Sequence, residues 1–381
     1  MDVEAPRLWL RAFEQLEDPR MDRTKKHSLR DILTIAICAV ICGADGWAQV
    51  EEFGDCKKKW FTTFLELPNG IPSHDTFGRV FAMLDPQAFE QCFLAWINEL
   101  AVASEGRLVA IDGKAIRRSL DAASGKEAIH MVSAWCTANH MVLGQLAVDA
   151  KSNEITAIPK LLKLLDVKGA VVTIDAIGCQ KKIAETIIDQ GADYVLQLKG
   201  NQGSLHEETT ELFDQCLTDD CHGIAYTTAK TTNGGHGRIE QRQIWATSEI
   251  GWFAEKGKWK NLRSLIRVQA KRTLNGQTSD EYRYYISSLS AENPQRLLEY
   301  IRGHWAVENN LHWCLDISFA DDERRIRKGH GAENYARLCR IGLNLLKAQT
   351  KHKAGIKTKR LCCGWSHDYL LRVLTRADQG L

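Results

Sequence analysis

The sequence predicts an α/β protein in which a mixed sheet flanked by helices is interrupted late by a β-rich insertion and preceded by a helical region. Three observations lead there. Apolar residues recur at helical spacing through much of the first hundred positions. From Arg107 short apolar runs alternate with amphipathic stretches in the order β-β-β-α-β-α-β. Between Asn201 and Glu292 that alternation gives way to one helix and several strand-like runs. At 381 residues the chain exceeds the usual size of one domain. The divisions expected are a helical region over 1–104, a sheet domain over 105–350 with the insertion at about 201–292, and a basic tail over 351–381.

Each element has its own signal. Ser28 can cap a helix that carries Asp31 in its first turn and closes at Gly43. A second helix starts at Ser73, with Phe77, Val80, Phe81 and Leu84 at helical spacing before Pro86. Its outer face of His74, Asp75 and Arg79 suits a DNA-recognition helix or an ordinary core helix. Strands are expected at Leu108–Ile111, Met131–Cys136 and Met141–Val148, then a helix over Ile155–Leu165. A strand at Ala170–Ile174, a helix over Lys181–Asp189 and a strand at Tyr194–Leu198 complete the series, which is the succession of the ribonuclease-H-like fold. The insertion contributes runs at Arg238–Trp245, Leu262–Ala270 and Tyr282–Ser287. Helical pattern returns at Asn293-Pro294, continues past Trp313, and reappears over Ala332–Lys347.

Composition excludes several classes. Hydrophobic residues make up 44% and charged residues 26%, which is neither disordered nor fibrous. The longest apolar stretch, Ile32 to Ala44, is broken by Thr34 and too short to span a bilayer, so no membrane partner is expected. Met1 to Leu10 carries Asp2, Glu4 and Arg7 with no apolar core, so a cytoplasmic location is expected. The twelve cysteines then read as small core residues. Cys221-His222 and Cys362-Cys363 with His367 lack the second half of a zinc site. Gly234-Gly235-His236-Gly237 lacks the spacing and lysine of a phosphate loop, so no nucleotide is expected.

Net charge is only +2, but it is unevenly sorted. From Glu323 to Arg360 twelve Lys or Arg face two acids, and Arg20, Arg23, Lys25, Lys26 and Arg30 form a smaller cluster. Such sorting suits phosphate binding as well as a solvated helix face.

Three carboxylates stand where a carboxylate is expensive. Asp112 follows Leu-Val-Ala-Ile and Asp175 follows Val-Val-Thr-Ile, so both are expected at the ends of buried strands, where they would repel one another and lose hydration. Glu308 is expected on the buried helix face made by Leu297, Ile301, Trp305, Leu311 and Leu315, with His304 and His312 one turn to either side. A buried glutamate can pair with an arginine. Three acids from two strands and a helix can instead hold two Mg²⁺ or Mn²⁺ ions about 4 Å apart, which suits in-line attack on a phosphodiester.

At these residues the sequence resembles the H-repeat-associated transposases of bacterial insertion sequences, within the DDE transposase group. The likeness is carried by AIDGKAIR at 110–117, TIDAIGCQ at 173–180, LKGNQ at 198–202, GHGRIEQR at 235–242 and RGHWAVENNLHWCLD at 302–316, and covers nearly the whole chain. It implies a helical, DNA-binding segment before the catalytic domain, and Asp112, Asp175 and Glu308 as catalytic, metal-binding residues. It further implies metal-dependent cutting at the element's terminal inverted repeats, joining of 3′-hydroxyls to target DNA, and action as a homodimer or larger synaptic assembly.

One departure stands out. Many relatives place an arginine four residues before the glutamate and a lysine seven after; here those positions hold His304 and Leu315. His304, His312 or Lys114 is the candidate substitute for gripping phosphate. Lys199, just after a strand, is a further candidate for phosphate contact. His236, Arg238 and Glu240 share one face of a strand, where Arg238 can contact DNA or pair with Glu240. Two other readings stay open: a nuclease or junction resolvase of the same fold, and a catalytically silent DNA-binding protein descended from a transposase.

Overall fold

A computed structural model describes residues 9–100, 107–120, 127–148, 154–218, 224–235 and 237–375. Four helices open the chain: α1 Leu29–Ile41, α2 Trp47–Phe61, α3 His74–Met83 and α4 Pro86–Leu100. The Ser28 hydroxyl accepts from the Asp31 amide at 3.0 Å and caps α1, and Gly43 takes a left-handed φ of 117° just beyond its end. Helix α1 is buried from Asp31 to Ile41 and forms the centre of the helical region. In α3 the face of Phe77, Val80 and Phe81 is buried, and Trp47 stacks on Phe81 at 4.8 Å.

Among the described residues the sheet has nine strands. Its first part consists of β1 Leu108–Ala115, β2 His130–Cys136, β3 Met141–Val148, β4 Val171–Ile174 and β5 Asp193–Leu198. Strands β1, β4 and β5 run parallel, and β2 lies antiparallel between β1 and β3, which is the ribonuclease-H-like arrangement. Helices α5 Glu154–Leu164 and α6 Lys181–Asp189 connect β3 to β4 and β4 to β5.

After α7, Ser204–Thr218, strands β6 Thr227–Gly235, β7 Arg238–Thr247, β8 Ser264–Leu274 and β9 Gln277–Ser287 make an antiparallel meander. It is no separate sheet: β9 pairs with β5, from Val195↔Ser287 to Leu198↔Tyr284, and prolongs the central one, giving the order β3-β2-β1-β4-β5-β9-β8-β7-β6. Strand β6 falls outside the sequence expectation because it is an edge strand of mainly polar residues with little burial to mark it.

Helix α8, Pro294–His304, starts at Asn293, whose side chain accepts from the Arg296 amide at 3.0 Å, and packs Leu297, Leu298 and Ile301 against the sheet with Leu108 and Val171. The expected continuous helix past Trp313 is interrupted: Glu308–His312 is a π-helical stretch, and α9, Trp313–Phe319, follows it. Helix α10, Gly331–Ala348, is buried nearly all round and crosses from the helical region to the sheet. There Asn334 donates to the Phe81 and Leu84 carbonyls at 2.9 Å, and Asn344 bonds both the amide and the carbonyl of Val142.

The segment expected as a basic tail is helical over α11, Ile356–Trp365, and α12, His367–Thr375. Arg360 donates to the Val40 carbonyl at 2.7 Å and Lys57 to the Gly364 carbonyl at 3.0 Å, so the end of the chain returns to α1 and α2. Of the twelve basic residues between Glu323 and Arg360, five (Arg324, Arg337, Arg340, Lys359 and Arg360) are buried. Arg337 pairs with buried Glu90 at 2.7 Å and with Glu333 at 2.8 Å. Arg325, Arg327, Lys328, Lys351, Lys353 and Lys357 are exposed. Cys38, Cys136 and Cys363 are free and buried, as core cysteines should be, but Cys56 is exposed and Cys42 and Cys362 are half-buried, so the core reading does not hold for every cysteine. Cys221 and His222 lie outside the described residues. No helix among the described residues is long and apolar enough to cross a membrane.

Candidate active site

Strand register brings the two aspartates together. The parallel pairing of β1 with β4 ends at Ile111↔Ile174, and the next residues along the chain are Asp112, still within β1, and Asp175, just past the end of β4. Strand β1 itself runs on to Ala115 because β2 still pairs with it, so Asp112 lies inside a strand and not at its end, opposite Ser133. The Asp112 side chain is 28% exposed and accepts from the Gly113 amide at 2.9 Å. Burial pushes its carboxyl up to about 7, and the charges of Asp175, Glu154 and Glu308 add to the rise. The four acids therefore lie within electrostatic reach of one another.

Asp175 caps a short turn, accepting from Ile177 N at 3.1 Å and Gly178 N at 3.5 Å. The segment after β5 holds that turn: Asn201 donates to the Ala176 carbonyl at 2.9 Å and Gln202 to the Cys179 carbonyl at 2.6 Å. The sequence alone does not assign this role, although both residues belong to a motif placed just after a parallel strand. Lys199 is exposed at the same end of the sheet.

Glu308 departs from expectation. It is exposed, as is Trp305 at 38%, whereas the spacing of Leu297, Ile301, Leu311 and Leu315 put both on a buried face. The helix breaks at Trp305, where α8 ends, and a π-helical stretch begins at Glu308, so the α-helical phase read from Leu297 does not hold between those two points. The two histidines do point inward. His304 Nδ1 lies 3.1 Å from the Thr173 hydroxyl, two residues before Asp175, and burial pushes its pKa down to about 4. His312 Nδ1 lies 3.5 Å from Asp112 Oδ2; burial, then the charges of Arg340 and Lys114, push it down to about 3. Both imidazoles are neutral at pH 7, so the approach of His312 to Asp112 is a polar contact and not an ion pair. His312 Nε2 is buried without a hydrogen-bond partner.

Other candidates are placed differently. The Lys114 side chain is only 10% exposed and lies among Asp316, Asp321 and Asp322. Arg238 and Arg242 both pair with Glu240, so the within-strand pairing is present. His236 lies outside the described residues. Sequence reading missed a buried His130–Glu154 pair, packed where a side chain at Gly113 would collide with both. It also missed a groove of about 550 Å³ that reaches Asn309 and Asn310, the two residues after Glu308, and is lined in part by Arg242, Arg272, Arg283, Arg302 and Trp305. Arg283 stacks over the Trp305 ring at 4.6 Å.

Among the described residues no three His, Cys, Asp or Glu side chains already converge on one point that could hold a metal ion. The donors fit a hard divalent cation by their chemistry: they are carboxylate oxygens, and the raised Asp112 carboxyl marks negative charge that a cation would balance.

The chain matches two family models, one described as "DDE_Tnp_1-associated" over residues 10–97 and one as "Transposase DDE domain" over residues 103–345. It is 40% identical over 368 residues to "Putative transposase YncI" of Escherichia coli O157:H7, covering 96% of this chain and 93% of the relative. It is 38% identical over 373 residues to "H repeat-associated putative transposase YhhI" of Escherichia coli K12, covering 96% and 97%. A solved structure described as a piggyBac transposase synaptic complex with hairpin DNA aligns with 100% of this chain and 79% of its own, at a TM-score of 0.45 and 10% identity.

Proposed function

The chain belongs to the DDE-domain transposases, and on that premise we propose that it cuts DNA at the ends of an insertion element and joins the freed 3′-hydroxyls to target DNA. Asp112, Asp175 and Glu308 would hold two Mg²⁺ or Mn²⁺ ions. Bound there, the ions supply activation of the attacking oxygen and stabilisation of the leaving one. The observation that carries the reading is Asp112: it stands beside Asp175 at the end of the parallel pairing, with its carboxyl pushed up to about 7 by burial and neighbouring acids.

The chain's own residues then have separate tasks. The turn capped by Asp175 and clamped by Asn201 and Gln202 keeps one aspartate oriented. Neutral His304 and His312 pack the glutamate-bearing segment onto the strands without adding charge. Lys199 and the arginines of the groove beside Glu308 would face the phosphates of double-stranded DNA, both terminal repeats and target. Pairing two element ends requires a homodimer or larger synaptic assembly, acting in the cytoplasm.

The test is cleavage and strand transfer on labelled DNA carrying the element's ends, with Mg²⁺ or with EDTA, for wild type and Glu308→Gln. The expected result is joining by wild type only with metal, and binding without cutting by the variant. Cutting without joining would favour a nuclease or resolvase; binding without cutting by wild type, in Mg²⁺ or Mn²⁺, would favour a catalytically silent DNA-binding protein.

A further inference from the structure

Between His304 and Asp316 three residues meet the sheet, eight and then four positions apart. His304 meets Thr173, His312 approaches Asp112, and Asp316 Oδ1 lies 2.7 Å from Lys114 Nζ. Glu308 falls midway in the longer interval and is exposed. Asp112 and Lys114, two apart on β1, share one face of that strand. An α-helical turn rises about 5.4 Å and two strand residues about 6.6 Å, so His312 and Asp316 can meet Asp112 and Lys114 in register.

More than Asp316 holds the lysine. Helix α9 ends at Phe319, and Ala320 takes a left-handed φ of 50°, unfavourable for a residue with a β-carbon and maintained by its surroundings. The turn sends Asp321 and Asp322 back toward β1, where Asp322 Oδ1 lies 2.9 Å and Asp321 Oδ2 3.7 Å from Lys114 Nζ. Asp321 is fully buried and also paired with Arg324. Asp322 additionally accepts from the Arg117 amide at 3.4 Å. A phosphate reaching Lys114 would have to displace three carboxylates from a side chain that is nine-tenths buried, which sets aside the phosphate-gripping role the sequence suggested.

We propose that Lys114 is a positioning residue: clasped by Asp316, Asp321 and Asp322, it pins the segment carrying Glu308 along β1 and so sets where that carboxylate stands relative to Asp112. This rests on the metal-binding reading above. In catalysis Lys114 acts through Glu308 and touches neither DNA nor the reacting atoms.

The experiment compares Lys114→Met and Lys114→Arg with wild type in three measurements on the full chain. These are amide hydrogen exchange over 308–319 without metal, Mn²⁺ affinity by calorimetry, and metal-free DNA binding against salt. Lys114→Met should speed exchange about ten-fold and weaken Mn²⁺ binding about ten-fold, as loss of a group supporting a ligand does. Lys114→Arg should recover most of both, and DNA binding should not change. In a Glu308→Gln background Lys114→Met should weaken Mn²⁺ no further, because the lysine acts through that glutamate.

Unchanged exchange and unchanged Mn²⁺ affinity in Lys114→Met would overturn the proposal. So would a loss of DNA affinity with a shallower salt dependence, which is the mark of a phosphate contact. If wild type binds no Mn²⁺ that Asp112→Asn abolishes, the metal reading fails, and exchange in the metal-free protein still decides the clasp. Should Lys114→Met not fold, Asp322→Asn, which keeps the lysine and removes one of its partners, is read in the same way.

Discussion

Asp112 and Asp175 stand on neighbouring parallel strands whose register leaves little choice about where they meet, whereas Glu308 stands on a helical segment that changes pitch at the glutamate itself. The pairing of β1 with β2 and β4, and the turn that Asp175 caps just beyond β4, hold the first pair; contacts from residues four positions away hold the third acid. A carboxylate on a paired strand is placed by secondary structure. One on an interrupted helix is placed by tertiary contacts, and a substitution elsewhere can move it.

The sharpest way to break this comparison is to remove one acid from each side. Asp175→Asn and Glu308→Gln should each lower strand cleavage by about a thousand-fold or more, roughly 4 kcal/mol in the barrier, while metal-free DNA binding persists. Cleavage assays on end-labelled DNA measure this. A variant that cuts within ten-fold of wild type removes its residue from the proposed set.

Next in size are the contacts that support the helix side alone. His312→Ala removes the imidazole against Asp112, and His304→Ala the one against Thr173. Each should slow cleavage about 10- to 100-fold, as loss of groups that orient metal ligands does. Unaltered end cleavage in His304→Ala would show that this imidazole has no part in placing the glutamate.

How much of this was legible follows the same division. Four-residue apolar runs ending in aspartate marked β1 and β4, and strand pairing did the rest. The exposed, mainly polar edge strand β6 had no such run. Nothing local announced the π-helical stretch, because Leu311 and Leu315 satisfy an α-helical phase equally well on paper; the burial expected for Glu308 failed for that reason. The His130–Glu154 pair joins residues 24 apart in sequence through the fold and had no signature at all. Arg337 and Arg340 did carry a signal that charge counting overlooked. They sit among Leu338, Cys339, Ile341 and Leu343, apolar neighbours dense enough to draw an arginine between them into the core.

A smaller effect comes from Asp112 without metal. Its carboxyl is raised in the folded protein to about 7 from an ordinary 3.8, so between those values the folded state binds the extra proton. Stability therefore falls as pH rises from about 4, and the full cost is present above about 7. A rise of that size corresponds to roughly 4 kcal/mol at 1.36 kcal/mol per pH unit, and partial exposure reduces it to about 1 to 2. Metal-free Asp112→Asn should accordingly be more stable than wild type at pH 8 and gain little at pH 4. Urea unfolding at the two pH values tests the sign; an equal gain at both would show that the carboxyl is not raised.

The least effect is expected where charge touches nothing else. Lys351, Lys353 and Lys357 are three of the six exposed members of the basic stretch, and the five buried members serve the core. Replacing the three lysines by alanine should leave stability within about 0.5 kcal/mol of wild type and weaken DNA binding evenly across sequences. If all three meet phosphates, the slope of log affinity against log salt falls by roughly 3, one for each lysine removed. An unchanged slope would mean that these lysines are a solvated face, leaving phosphate contact to the other exposed basic groups: Arg325, Arg327 and Lys328 of the same stretch, Lys199, and the arginines beside Glu308.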